Sequence, residues 1–213
     1  MGVLSNFSVY GLMIIPLAAM VKGHNIALGS LVKLGLVMAT VQLAQSTIAA
    51  AVPADMLVAQ VCVQGALLPL MTVALCFFVM NDAKAAKVLR LHECGDGDVG
   101  AAVATMWCLS YTVVFRWFPW YHSMASRGFE AANLVSGVEA YLALITMLAM
   151  CRSFTSGRSS AATAAWALHV AGAVAGAATG VPAAGAAATA AFVTAASAIA
   201  FRPTAEARRS KEE

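Results

Sequence analysis

Two titratable side chains stand deep inside long apolar runs, where a charge is costly and functional roles concentrate. Glu139 lies in the run 130–151 and His169 in the run 161–179. Entered from opposite sides, at ~1.5 Å of helix rise per residue, both reach about mid-membrane. If their helices are neighbours, carboxylate and imidazole pair and keep each other tolerable in low dielectric. Such a pair would suit a proton relay or substrate site in a small proton-coupled carrier. The plainer reading is a buried structural pair, because no second carboxylate or histidine stands at the same depth.

Four amides form a second set. Gln42 and Gln45 occupy the late part of one apolar run, and Gln60 and Gln64 the early part of the next. Pro53-Ala54-Asp55 between them is a tight hairpin, so the two helices are expected side by side, with an amide ladder between them. Interhelical hydrogen bonds of this kind serve mainly as glue, and a transport path is the rarer use.

Other chemistry is weakly represented. His92-Glu93-Cys94-Gly95-Asp96-Gly97-Asp98 has neither four zinc ligands at set spacing nor the twelve-residue calcium loop ending in Glu. No phosphate-binding glycine loop, nucleophile elbow or H-E-x-x-H occurs. The five cysteines, an odd number without a C-x-x-C pair, read as small buried hydrophobes. The expectation is no enzyme, no metal and no cofactor.

The densest polar cluster is Arg116-Trp117-Phe118-Pro119-Trp120-Tyr121, continuing to Arg127-Gly128-Phe129-Glu130. Trp117, Trp120 and Tyr121 suit an aromatic belt at a membrane interface. Pro119 ends one helix, Arg127-Gly128 makes a turn, and Glu130 opens the next helix, where a carboxylate complements the dipole. Arg116 and Arg127 are each placed to pair with Glu130.

The elements that hold these residues follow from composition. Of 213 residues, 61% are hydrophobic and only 11% charged, with mean hydropathy +0.80. A soluble domain carries about 25% charged residues, so this chain belongs in a bilayer. Apolar runs at roughly 4–21, 28–52, 56–80, 99–115, 130–151, 161–179 and 184–201 each have the length of a membrane-crossing helix. The alternating pattern of barrel strands is absent. The expected fold is all-α, a polytopic bundle of seven transmembrane helices over 1–203 with a polar tail at 204–213.

Positive charge gives the orientation. One face collects Lys22, Lys84, Lys87, Arg90, Arg152, Arg158, Arg202, Arg208, Arg209 and Lys211, the other only Arg116 and Arg127. Basic residues mark the cytosolic side, so the C-terminus is expected cytosolic and the N-terminus lumenal. Lys33, about one turn inside the second helix, snorkels back to the same face. No basic residue precedes 4–21, which reads as an uncleaved first helix. The last two helices are rich in Ala and Gly, with Gly172, Gly176 and Gly180 at a spacing of four. Small residues let backbones approach closely, either inside the chain or against another subunit.

Several of these residues together resemble the transmembrane protein 147 family. The most specific are Trp107, Arg116-x-x-Pro119 with a following aromatic, and Arg127-Gly128-x-Glu130. Phe7, Leu12, Pro16, Lys22, Lys33, Val41-Gln42-Leu43, Pro53 and Val79-Met80-Asn81 fit more loosely, so the likeness spans about residues 1–150. The resemblance implies a non-enzymatic scaffold subunit of the endoplasmic-reticulum BOS complex in the multipass translocon. It would assemble with nicalin and NOMO at the Sec channel and assist membrane-protein biogenesis. A distant likeness to the Aph subunit of gamma-secretase is implied too. The basic cytosolic face suits ribosomal RNA by charge, and no contact with DNA is expected.

Overall fold

The structure, a computed structural model, describes residues 15–24, 26–53, 55–91, 95–117, 131–155, 159–180 and 182–200. Every regular element among them is helical. Helix α1 covers 15–23 and ends in a π-type turn, Ala19–Gly23. It is followed by α2 (Leu28–Ala50), α3 (Leu57–Asn81), a short α4 (Ala83–Val88) and α5 (Asp96–Tyr111). A π-helical turn, Thr112–Trp117, prolongs α5. Then come α6 (Ala131–Phe154), α7 (Ser159–Thr179) and α8 (Pro182–Ala200). Four segments are long and apolar enough to cross a membrane: Leu28–Ala50, Leu57–Asn81, Asp98–Phe115 and Ala162–Thr179. The protein is therefore an all-α membrane protein.

Helix α5 is the hub. Over half of its span (56%) is buried, against 28% for α2, and it packs on both α2 and α6. Leu31, Leu34 and Met38 of α2 recur at helical spacing and are fully buried, as are Ala102 and Val103 of α5 and Met150 and Cys151 of α6. The outward faces stay apolar: Leu36, Leu43, Val58, Phe78, Tyr141 and Phe192 are exposed. Water would penalise such a surface, whereas lipid accepts it.

Helix α3 widens into a π-helical stretch, Val61–Leu67, just ahead of Pro69. Proline at 69 has no N–H for the carbonyl of Gly65 and its ring crowds that carbonyl, so the ladder slips there. The stretch packs on α7, where a Cβ on Gly65 would sit 2.9 Å from the Val174 Cα.

The Ala/Gly-rich pair α7–α8 forms the most extensive helix contact among the described residues. A Cβ on Gly185 would lie 2.6 Å from the Gly176 Cα, and one on Gly172 would collide with Thr189. Gly172 and Gly176 thus pack within the chain. Gly180 does not share this role: it has φ +67 and open space where a Cβ would be. It terminates α7 in the left-handed conformation that glycine adopts without strain, and Pro182 opens α8.

Acidic residues act at some helix starts and not at others. Asp55 does not cap α3, whose N-cap is Met56 without a side-chain hydrogen bond. Helix α3 ends at Asn81, where Asp82 breaks it and caps α4, accepting from Lys84 N and Ala85 N at 2.8 Å each. Residues 96–98 form the first turn of α5, where acidic residues favour the helix dipole.

Helix α4 closes with Arg90 at φ 54, while Leu91 N donates to Ala86 O (2.8 Å) and Arg90 N to Lys87 O (3.2 Å). This is a Schellman close. It buries Leu89 and Leu91 and leaves Lys84, Lys87 and Arg90 exposed.

The glycine seam yields a two-sided prediction for thermal unfolding in detergent. Gly185→Ala should lower stability by about 1–3 kcal/mol through overpacking. Gly29→Ala, with nothing within 4 Å, should raise it by about 0.5–1 kcal/mol through helix propensity.

Candidate functional site

A cavity of about 640 Å³ opens among α2, α3, α5, α6, α7 and α8. Helix α2 contributes Gln42, Gln45 and Ser46, continuing the buried stripe of Leu31, Leu34 and Met38. Helix α3 supplies Gln64, Leu68 and Thr72, and α5 with its π turn supplies Trp107, Tyr111 and Phe115. Thr146 and Met147 come from α6, His169 and Gly172 from α7, and Thr189 from α8. Glycines 172, 176 and 185 leave space along one wall, and aromatic rings cover the other.

The amides do not form a ladder. Gln45 Nε2 donates to Leu68 O and to Thr72 Oγ1, both at 3.0 Å. Gln42 Nε2 reaches α5 instead and donates to Trp107 O at 2.8 Å. Gln60 turns back to Pro53 O at 3.4 Å, and Gln64 is exposed at the cavity edge. The physical reason is packing: the π stretch of α3 leans on α7, and α2 packs chiefly on α5. Amides of α2 therefore meet backbone carbonyls and a hydroxyl rather than other amides.

The expected ion pair between Glu139 and His169 does not form. Between described side chains, the contact of a carboxylate with an imidazole is His24 Nδ1 with Asp98 Oδ1. His169 Nδ1 is buried without a hydrogen-bond partner, and so is Gln42 Oε1. Glu139 is half-buried, and the α6 residues that reach the cavity, Ala143, Thr146 and Met147, begin one turn further along. Helices α6 and α7 are in contact, so register separates the pair.

Trp107 is half-buried on α5 and lines the cavity. The side chain of Arg116, and Pro119, Arg127, Gly128 and Glu130 entirely, lie outside the described residues, as do Trp120, Tyr121 and Cys94. Of the other cysteines, Cys76, Cys108 and Cys151 are buried as expected and Cys62 is exposed. Among the described residues no three His, Cys, Asp or Glu side chains gather into a metal site.

Residues with no motif around them complete the site. Thr72 receives Gln45 and donates to Leu68 O at 3.1 Å. Ser110 on α5 donates to Gly35 O at 3.0 Å, binding α2 and α5 above the cavity. Spacing carried no sign of the His24–Asp98 contact, which bridges residues 74 apart. The i, i+3, i+4 run from Leu31 through Gln45 did carry a sign, since both amides extend an apolar stripe.

No family model, curated protein or solved structure matches the chain.

Loss of the amide contacts has a measurable cost. Gln45→Leu should destabilise the bundle by about 0.5–2 kcal/mol, the usual worth of an interhelical hydrogen bond in a membrane. Gln64→Leu, at an exposed position, should leave denaturant unfolding in mixed micelles unchanged.

Proposed function

We propose that this chain is a non-enzymatic scaffold subunit of an endoplasmic-reticulum membrane complex of the nicalin and NOMO type. It would act beside the Sec channel to help multispanning proteins insert. The observation that carries the reading is the residue pattern Trp107, Arg116-x-x-Pro119 and Arg127-Gly128-x-Glu130, which resembles the transmembrane protein 147 family. Its first member sits on the hub helix, half-buried beside the cavity. The carrier alternative drew its support from a Glu139–His169 pair, and His169 Nδ1 has no partner.

The reading includes seven spans with a lumenal N-terminus and cytosolic C-terminus. Three contacts support a common basic end. His24 pairs with Asp98, joining the α1–α2 connection to the start of α5. Phe77 near the end of α3 meets Phe154 at the end of α6, edge to face at 5.7 Å. A Cβ on Gly100 would touch Met80 and Cys151, near the same two ends. Exposed Lys22, Lys84, Lys87, Arg90 and Arg152 flank these contacts. Such a face meets anionic headgroups or ribosomal RNA by charge.

Proximity labelling in native membranes tests the assembly. Tagged chain should mark nicalin-like, NOMO-like and channel subunits, and Arg116→Ala or Arg127→Ala should lose at least the lumenal partner while the chain remains membrane-embedded. Labelling without any of these subunits would refute the scaffold reading. A glycan-acceptor tag at the N-terminus should be modified and the same tag at the C-terminus should not.

A further inference from the structure

We propose that the cavity between α2, α5 and α7 is a binding site for one uncharged, hydroxyl-bearing lipid. Gln42 is only 2% exposed, and its Nε2 is committed to Trp107 O at 2.8 Å. A backbone carbonyl only accepts, so the amide orientation is set and Oε1 remains as an acceptor without a donor. On α7, buried His169 Nδ1 also lacks a partner, and both residues line the same space. A buried polar atom left in this state is costly, and two in one cavity point to an occupant that supplies hydrogen. A hydroxyl suits either atom: its one hydrogen goes to Gln42 Oε1, and toward the imidazole its oxygen accepts when Nδ1 carries the hydrogen.

The walls specify the rest of the molecule. Among the described residues no Asp, Glu, Lys or Arg lines the cavity, so a phosphate or ammonium headgroup would lie uncompensated against them. Leu68, Trp107, Phe115 and Met147 offer apolar surface to a hydrocarbon chain. The volume, about 640 Å³, lies in the range of small-molecule sites. A transmembrane helix, about 10–12 Å across with its side chains, needs more room than this for two turns. The site stands apart from the scaffold reading and holds whether or not that reading does.

The test uses the purified full chain in phosphatidylcholine nanodiscs doped with photoactivatable, clickable lipids. One arm carries a diacylglycerol and another a ceramide, distinguishing glycerol-based from sphingoid sources of the hydroxyl. A third carries phosphatidic acid, whose headgroup is charged. At least one neutral probe should label saturably, with crosslinks mapping to cavity residues such as Phe115 and Met147. Gln42→Leu should cut that labelling by about three- to tenfold, the worth of one hydrogen bond. Ala143→Phe should abolish it by filling the space, with Gln42 and His169 left in place. Neutral-lipid crosslinks confined to outward residues such as Leu36 and Phe192 in the unmodified chain would overturn the proposal. So would phosphatidic acid labelling the cavity as well as the neutral probes do, or labelling indifferent to both substitutions.

Discussion

Backbone-to-backbone approach at glycine governs this bundle. Where Gly185 meets Gly176 and Gly65 meets Val174, the helices α3, α7 and α8 come closer than any side chain would allow. Apolar side chains gain little from one another in lipid, because the tails they displace are equally apolar. Close van der Waals contact and interhelical hydrogen bonds therefore carry the association. The glycine seam gives the first, and Gln45 with Thr72, Gln42 with Trp107 O and Ser110 with Gly35 O give the second. The cavity arises where the two regimes meet, with small residues on one wall and large aromatic ones on the other.

Helix α3 shows how one residue propagates through such a structure. Pro69 removes a donor and crowds the preceding turn, and the ladder widens over Val61–Leu67. The widened stretch presents Gly65 to α7, while Gln60 bonds back to Pro53 O and Gln64 stays exposed at the cavity edge. As a result the amides of α2 seek partners on α5 and further down α3. Gln42 then donates from Nε2 to Trp107 O and keeps Oε1 as a buried acceptor without a donor. Helix geometry thus creates a polar hollow from residues that would otherwise have satisfied each other.

The helix bounds were largely legible beforehand. Expected runs at 28–52, 56–80 and 161–179 lie within about two residues of Leu28–Ala50, Leu57–Asn81 and Ser159–Thr179, because a bilayer demands long apolar helices and few alternatives exist. Caps were less legible. Asp82 rather than Asp55 caps a helix, and Asp96 to Asp98 begin one, because an acidic side chain beside a turn suits either role. Gly180 shared the spacing of Gly172 and Gly176 and yet serves as a stop, since spacing does not reveal the sign of φ. Buried amides were visible as candidates, but their partners were not.

Sequence alone determined the solvent, the secondary structure and the polar residues drawn into the membrane: these depend on hydropathy and on hydrogen bonds closed within one helix. Tertiary structure decided which of those residues meet. It parted Glu139 from His169 by a helical register, joined His24 to Asp98 across the bundle, and set Gln42 and His169 around one space. Those outcomes depend on which helix faces approach and at what rotation. Close packing at a few glycines fixes that rotation, and no local pattern along the chain encodes it.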